Sequence, residues 1–359
     1  MNTRFRKCGN LKKMQMAPVF FIDNKAYLMV KIISGLLSTM VLLFVGCNSI
    51  DNPKIQSSWT WTSVSNSPVF TKLTNAIEDN GIGSPDVLIE NTGPSQTFIM
   101  YYAQGGTDTV GRIGRATSPD GIVWTRSGTV LTPSGPGHFD DHFIDTPSII
   151  KVGSTYYLYF FGDVDNSPDN GKIGLATSTD GINFARPRST PVIALGGTGT
   201  WDEYRVESPD VVNDGNSFIM YYTGVNALNI VRTGRATSSD GITWTKDPAN
   251  PIFDKGPSGA WDSITAYPSG YLLRGGVFEM YYISAALITR TPSIGLATSI
   301  DGRVFTRYAN NPVMTSQITN NSLDGPINPC VIFDEHNQIY MLWSETGIGF
   351  YLARAPARL

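Results

Sequence analysis

One stretch of sequence occurs in several copies along the chain, and this repetition limits the possible folds more than any other feature. The copies are "GRIGRATSPDGIVWTR" at 111–126, "GKIGLATSTDGINFAR" at 171–186, "VRTGRATSSDGITWTK" at 231–246 and "PSIGLATSIDGRVFTR" at 292–307. A fifth, degenerate copy, "IGFYLARAPARL", ends the sequence. Copies at a nearly constant period indicate that one supersecondary unit is repeated.

Each unit predicts four β-strands. A proline leads the first strand, paired aromatic residues as in "FIMYY" mark the second, and the third ends in "ATS". An Asp-Gly pair then predicts a short hairpin turn into a fourth strand such as "VWTR". Five units of four strands predict an all-β, five-bladed β-propeller. An open repeat array or a β-sandwich is the alternative.

The start of the repeated region resembles the missing part of the last unit. The fifth copy stops at its third strand, whereas "SWTWTSVSNSPVF" at 58–70 is similar to the fourth-strand segment "ITWTKDPANPIF" at 242–253. We therefore predict that Trp59–Thr62 pairs with the strand around 349–353 and completes the last blade. This closure would remove two exposed sheet edges.

The N-terminal segment predicts export and a lipid anchor. "MVKIISGLLSTMVLLFVGC" at 29–47 has one lysine, an apolar run and a Gly-Cys pair, a pattern typical of secretory signals. It resembles the bacterial lipoprotein signal, which implies lipidation of Cys47 and a tether at the cell envelope, facing the periplasm or the cell surface. We expect translation to start at Met29; an uncleaved anchor helix is the alternative. The predicted parts of the chain are a signal or anchor segment at 1–46, a polar stalk at 47–57 and the propeller at 58–359.

Charge and cysteine content exclude two classes of protein. The formal net charge is −3 and no basic stripe occurs, which argues against nucleic-acid binding. Of the three cysteines, Cys8 precedes the predicted mature chain and Cys47 is the predicted lipid site. Cys330 then has no partner, so no disulfide framework is predicted. We expect it to be a small buried residue on the first strand of blade five.

Two carboxylates stand where a propeller directs side chains toward its axis. The first strand of each blade lines the central channel, and the residue two positions before its proline opens that strand. Because neighbouring blades converge at the axis, Asp145 and Glu207 are expected to face one pocket. Two carboxylates facing one cavity are what glycoside cleavage requires. The five strand-opening residues are Gly83, Asp145, Glu207, Ala266 and Ile327.

The repeats and this acid pair together resemble the five-bladed propeller glycosidases, namely glycoside hydrolase families 43, 32, 62 and 68 and their relatives. The likeness covers about 58–359 and includes the strings "DTP" at Asp145 and "ESP" at Glu207. It implies that Glu207 is the general acid and that Asp145 modulates it and orients substrate. Those families place a further aspartate at the opening of blade one, where this chain has Gly83. Glu78 and Asp79 are the nearest substitutes, and Asp79 is favoured.

Features found in a single blade are better functional candidates than those that recur, because a structural role should repeat. By this criterion Asp141, His142, Tyr204 and Arg205 are predicted to contact the sugar. Trp201 could stack on a sugar face. However, its Trp-Asp pair recurs at 261–262, which favours a structural clamp between blades.

The sequence contains no strong signal for a cofactor. It also leaves two function classes open. "DVDNSPDNG" at 163–171 offers carboxylates for calcium, although such a string is more often a solvated turn. The first function class is an exported, membrane-tethered glycosidase acting on an oligo- or polysaccharide, which the Asp145 and Glu207 pair favours. The second is a carbohydrate-binding or scaffold lipoprotein without catalysis, which Gly83 favours. Both imply a carbohydrate partner.

Overall fold

A computed structural model describes most of the repeated region. The segment before residue 60 lies outside the described residues, and with it the predicted signal, Cys47, the stalk and Trp59. Residues 165–169 of the proposed calcium loop also lie outside them. In the part of the chain that the structure covers, no helix is long and apolar enough to cross a membrane. The described residues are 60–75, 77–91, 93–164, 170–284, 291–315, 325–346 and 349–357.

The described residues form antiparallel β-sheets, as the repeats predict. Two short strands come first, β1 (Thr62–Ser63) and β2 (Phe70–Thr71). Blade one is β3 (Gly81–Glu90), β4 (Thr97–Gly105), β5 (Gly111–Ser118) and β6 (Thr125–Leu131). Blade two is β7 (Phe143–Val152), β8 (Thr155–Asp163) and β9 (Lys172–Ser178), and its fourth strand is reduced to a bridge between Thr177 and Ala185.

The remaining blades repeat this order. Blade three is β10 (Arg205–Asn213), β11 (Phe218–Val225), β12 (Val231–Ser238) and β13 (Thr245–Lys246). Blade four is β14 (Tyr267–Arg274), β15 (Val277–Ser284), β16 (Ser293–Ser299) and β17 (Thr306–Arg307). Blade five is β18 (Ile327–Asp334), β19 (Ile339–Thr346) and β20 (Gly349–Pro356), with β1 and β2 beside β20. The first strands contact one another in ring order, which confirms the five-bladed propeller.

The ring closes through the N-terminal strand, as predicted, but the pairing starts later. Thr62 lies opposite Arg354 and Ser63 opposite Ala353, so the strand begins at the end of the predicted Trp59–Thr62 segment. β2 adds a second contact, Phe70 opposite Phe350. The preceding Trp61 is 4% exposed and its ring lies edge-on against Tyr281 of blade four. Burial of this indole anchors the closing strand.

In blades one to three a tyrosine hydroxyl links the blade to the Asp-Gly turn of the next. The hydroxyl of Tyr101 in blade one donates to the carbonyl of Gly181 in blade two, at 2.6 Å. Tyr159 and Tyr221 repeat this bond in blades two and three. These glycines have positive φ, 69° at Gly181, which favours glycine. The turn is longer than the predicted short hairpin, because residues 119–124 separate β5 from β6.

In blades one, two, three and five the residue after the first-strand proline binds the neighbouring blade near the axis. A carboxylate oxygen of Asp86 accepts the Ile149 N–H of blade two at 2.6 Å. The other bonds of this kind are Val211 N to Ser148 Oγ at 3.1 Å, Tyr271 N to Asp210 Oδ2 at 2.9 Å and Val87 N to Cys330 Sγ at 3.2 Å. Cys330 is buried and free of a disulfide, as expected. These bonds hold the first strands, and so the strand-opening residues, in a fixed ring.

Candidate active site

A bulge turns the strand-opening side chains toward the axis. In the pairing of β10 with β11 the register shifts between Glu207 and Asp210, and the intervening Ser208 has φ 47°. Blades one, two and five carry the same bulge, with positive φ at Ser84, Thr146 and Asn328. Such strained residues persist where the surrounding structure holds them, and they cluster at functional sites.

Blade four differs, because its bulge is one residue shorter. Tyr267 lies opposite Ile283, the position that matches Glu207 opposite Thr223 in blade three. The opening residue of blade four is therefore Tyr267, whereas the proline alignment predicts Ala266. Ala266 is instead fully buried. A tyrosine hydroxyl thus joins the ring of polar groups at the axis.

Glu207 is held by two neighbours. Arg205 Nε lies 2.8 Å from Glu207 Oε2, and both side chains are mostly buried. The Tyr267 hydroxyl donates to Glu207 Oε1. Of the sugar-contact candidates, Arg205 is therefore the one that the structure joins directly to a predicted catalytic carboxylate.

Asp145, the other predicted catalytic residue, lies in surroundings that raise its pKa. Burial, with smaller contributions from the negative charges of Glu345 and Glu207, raises the pKa of Asp145 to about 6. Its Oδ1 accepts the Thr146 N–H at 2.6 Å, and the Ser84 side chain offsets part of the rise in pKa. Because charges interact more strongly inside a protein than in water, the nearby Glu207 contributes to this shift. That the two carboxyls face one shared pocket stays a prediction.

A third carboxylate, Glu345, reaches the same place from blade five. It lies on β19 opposite Ile327, and its Oε2 accepts the Ser84 N–H at 2.8 Å. The Asn328 amide also donates to Oε2, at 3.0 Å. Burial raises the pKa of Glu345. Glu345 was not predicted, because the candidate acids were sought on the first strands and the loops before them.

A signal for Glu345 is nevertheless present in the sequence. On the second strand of each blade, one residue lies opposite the residue that opens the first strand. In blade five this residue is Glu345, and blades one to four have no acid there. The matching residues of blades one to four are Ala103, Phe161, Thr223 and Ile283. By the criterion that single-blade features are functional, Glu345 qualifies as strongly as Glu207.

A cavity of about 180 Å³ opens between blades one and two, and Asp145 lines it, whereas Glu207 and Glu345 are not among its lining residues. Gly83 and Ala103 face each other across β3 and β4, and their small size leaves this space. Asp145 and Phe143 line the opposite wall. Further along the axis, a cavity of about 30 Å³ lies between Asp86, Ser148 and Asp210, which is about the volume of one water molecule.

The other predicted contact residues lie before the first strands, but with different surroundings. His142 and Tyr204 pair through their backbone N–H groups with the ends of the second strands, at Asp163 and Val225. A carboxylate oxygen of Asp141 accepts the Gly137 N–H at 3.3 Å. Trp201 packs within blade three on Tyr222, with ring centroids 5.6 Å apart. Trp261 packs on Tyr282 in the same way, so this tryptophan position has a structural role.

The aspartates of the Trp-Asp pairs also have a structural role, within blades rather than between them. Asp202 accepts from Lys246 on the fourth strand of its own blade, at 2.5 Å. Asp262 pairs with Arg307 in blade four. In blade one Glu78 takes this place: it is 1% exposed and pairs with Arg126 at 3.0 Å.

Glu78 is therefore committed to a structural contact. Asp79 lies on an exposed turn before β3, where its backbone carbonyl accepts from Lys72 and its N–H donates to Asn75. Neither residue lines the cavity beside Gly83. Among the described residues, the carboxylate found next to Gly83 is that of Glu345.

The proposed calcium loop is only partly described. Asp163 is buried, and its Oδ1 accepts the Val164 N–H at 2.6 Å. Within the described residues no group of three or more His, Cys, Asp or Glu side chains forms a metal-binding set.

The axial site offers carboxylates, one arginine and one tyrosine hydroxyl, a set suited to proton transfer at a bound polar ligand.

Comparison with known proteins adds relatives by sequence. No protein-family model matches the chain. The uncharacterized protein Rv1502 of Mycobacterium tuberculosis (strain ATCC 25618 / H37Rv) is 30% identical over 233 residues, which cover 61% of this chain and 73% of that protein. A 1,2-beta-oligomannan phosphorylase of Thermoanaerobacter sp. (strain X514) is 28% identical over 134 residues, 37% of this chain and 40% of the phosphorylase.

Solved structures add relatives by fold. A thermostable family-43 glycoside hydrolase superposes with a TM-score of 0.59 at 17% identity, covering 77% of this chain and 88% of that one. A structure from the GH130 family of mannoside phosphorylases, described as containing glycoside hydrolases that target beta-1,2 mannosidic linkages in Candida mannan, has a TM-score of 0.63 at 15% identity, with coverage of 82% and 93%. The chain therefore belongs to the same family as Rv1502, and its five-bladed propeller is the fold of these glycoside hydrolases.

Proposed function

We propose that this protein is a glycoside hydrolase that cleaves an oligo- or polysaccharide at the propeller axis. The observation that supports it most is that Asp145 lies in the electrostatic field of Glu207 beside a cavity of about 180 Å³. Hydrolysis of a glycosidic bond needs one group that protonates the leaving oxygen and another that acts on the opposite side of the sugar. The fold shared with glycoside hydrolases agrees with this chemistry but does not by itself imply it.

Glu207 is the proposed proton donor, and Asp145 the residue that tunes it. In the free protein Glu207 contacts Arg205 through Oε2 and the Tyr267 hydroxyl through Oε1, so a leaving oxygen has to replace one of these partners to reach the carboxyl. Asp145, with its pKa raised to about 6, holds a proton in mildly acidic solution without rearrangement. The two assignments therefore predict different effects of the leaving group on the rates of the Glu207 and Asp145 variants.

Substrates with different leaving groups test this assignment. A dinitrophenyl glycoside loses its aglycone without protonation, whereas an oligosaccharide needs a proton donor. Glu207→Gln should lose about 10²–10⁴-fold in turnover of the oligosaccharide and far less with the dinitrophenyl glycoside. Asp145→Asn should lose turnover of both. The reverse pattern would make Asp145 the donor, and near-wild-type rates in both variants would remove the pair from the mechanism.

A β-mannoside is the first substrate to test. The motivation is the partial sequence match to a 1,2-beta-oligomannan phosphorylase, which also raises phosphorolysis as a second reaction. The full-length protein is incubated with β-linked mannooligosaccharides, with and without inorganic phosphate. Free reducing sugar in both samples supports hydrolysis, whereas a sugar phosphate formed only with phosphate supports phosphorolysis. Binding without either product would support the non-catalytic carbohydrate-binding alternative.

The protein is further proposed to be exported and tethered by a lipid on Cys47. The motivation is the "LFVGC" string after an apolar run. Cys47→Ser should move the protein from the membrane fraction to the soluble fraction, because the buried acyl methylenes provide the membrane affinity. If the variant stays in the membrane with its N-terminal segment intact, that segment is an uncleaved anchor and the lipid tether is wrong.

A further inference from the structure

We propose that Glu345 supplies the carboxylate that Gly83 cannot, and that it acts as the base in the proposed glycoside cleavage. This inference rests on the proposed function and adds a third residue to it. The resembling families take this acid from the opening of blade one. Here it would come from the second strand of blade five, across the boundary at which the ring closes.

The space that Gly83 leaves is the first argument. A Cβ atom built on Gly83 would lie 3.0 Å from Glu345 Oε2, and its three nearest neighbouring atoms all belong to the Glu345 carboxylate. That distance is shorter than ordinary van der Waals contact, so a side chain at residue 83 and the carboxylate of Glu345 compete for one place. The Glu345 carboxylate can therefore occupy this place because residue 83 has no side chain.

The hydrogen bonds of Glu345 are the second argument. In blade two the Asp145 carboxylate accepts the N–H of the next residue, Thr146. In blade one the corresponding N–H belongs to Ser84, and Glu345 Oε2 accepts it at 2.8 Å. Glu345 thus makes the contact that an aspartate at position 83 would make.

The connection to the other acids is the third argument. Asn328 donates to Glu345 Oε2 at 3.0 Å and to the Ser84 hydroxyl oxygen at 3.3 Å. The Ser84 side chain in turn lies close enough to Asp145 to offset part of the rise in its pKa. Polar groups linked in this way hold one another in position. Glu345 is therefore connected through Asn328 and Ser84 to the surroundings of Asp145.

The reaction balances with the residues present. A water molecule adds to the anomeric carbon and gives one proton to the Glu345 carboxylate. The bond from that carbon to the leaving oxygen breaks, and the leaving oxygen takes a proton from the donor carboxyl. One water is consumed, and the base and the donor exchange their protons with solvent afterwards.

The test uses the full-length protein on whichever glycoside the wild type cleaves. Glu345→Gln should reduce kcat by about 10²–10⁴-fold while sugar affinity and the unfolding midpoint stay near the wild-type values. Glu335→Gln, on the exposed turn between β18 and β19, is the matched control and should retain full activity. Because the base acts ionised, the acid limb of the pH profile should also change in Glu345→Gln only.

A relocation experiment separates a base from a structural carboxylate. Glu345→Ala should be inactive, and azide should restore release of the leaving group by attacking the anomeric carbon in place of water. Adding Gly83→Asp to Glu345→Ala returns an acid to blade one, where Gly83 lacks a positive φ, and should recover at least about a tenth of the lost activity. Gly83→Asp alone should be impaired, because two carboxylates would then share one place.

The outcomes separate this inference from the proposed function. If the wild type cleaves glycosides and Glu345→Gln keeps near-wild-type kcat, the inference is wrong and the proposed function stands. If Glu345→Ala folds and binds sugar, but neither azide nor Gly83→Asp restores activity, Glu345 is not the base. If the wild type cleaves no glycoside, the proposed function itself fails, and this inference with it.

Discussion

At the scale of single residues, the axial pocket keeps carboxyls in positions that oppose their ionisation. The pKa of Asp145 is raised to about 6 by burial and by neighbouring negative charge, and burial raises that of Asp86 to about 6 as well. A side chain with a raised carboxyl pKa favours folding when protonated and loses that contribution as the pH rises through the folded pKa. Ionised Asp145 therefore lowers stability at neutral pH.

Replacing Asp145 should consequently stabilise the protein at the cost of function. Asp145→Asn keeps an oxygen to accept the Thr146 N–H and removes the buried charge. A pKa difference of about 2 between folded and unfolded states corresponds to about 3 kcal/mol, which is an upper limit because solvent reaches the site. The variant should unfold at higher denaturant than wild type at pH 8, and this advantage should vanish by about pH 4.

Denaturant titrations at several pH values measure this effect. Asp214→Asn, at an exposed turn of blade three, is the control without a buried charge. An equal stability difference between Asp145→Asn and wild type at pH 4 and pH 8 would contradict the raised pKa.

At the scale of elements, strand order and ring closure followed from the sequence, whereas contacts between repeats did not. The period, the Asp-Gly pairs and the truncated last unit predicted the blades and their completion near β1. The blade-four bulge escaped prediction, because Tyr267 and Ala266 differ in ladder register, which a proline alignment cannot detect. Glu345 escaped it because its carboxylate meets Ser84 across the closure of the ring, 261 residues away in the chain.

The closing strand gives the prediction at this scale. Trp61→Ala removes a buried indole that packs on Tyr281, so it should lower the free energy of unfolding by about 3–5 kcal/mol. Thr62→Ala, at the exposed neighbouring position, should change it by less than about 0.5 kcal/mol. Equal unfolding midpoints for the two variants would show that the strand does not need the indole to hold the ring closed.

At the scale of the whole molecule, the ring explains how distant segments meet in one pocket. Asp145, Glu207 and Glu345 stand on blades two, three and five, and the bonds between neighbouring first strands hold those blades in place. The axial cavity of about 30 Å³ beyond them is too small for a sugar, so we expect a ligand to bind at the end that carries the strand openings. The central claim is that a glycoside is cleaved at this end by these carboxyls.

The most direct test is a crystal structure of the full-length Glu207→Gln variant with a bound oligosaccharide that the wild type cleaves. The account predicts that the scissile oxygen lies about 2.6–3.2 Å from the side chain of residue 207 or of Asp145. It also predicts that the Glu345 carboxylate faces the anomeric carbon from the other side of the ring. An oligosaccharide bound on the outer blade surfaces, or across the axis with no linkage near these side chains, would contradict it.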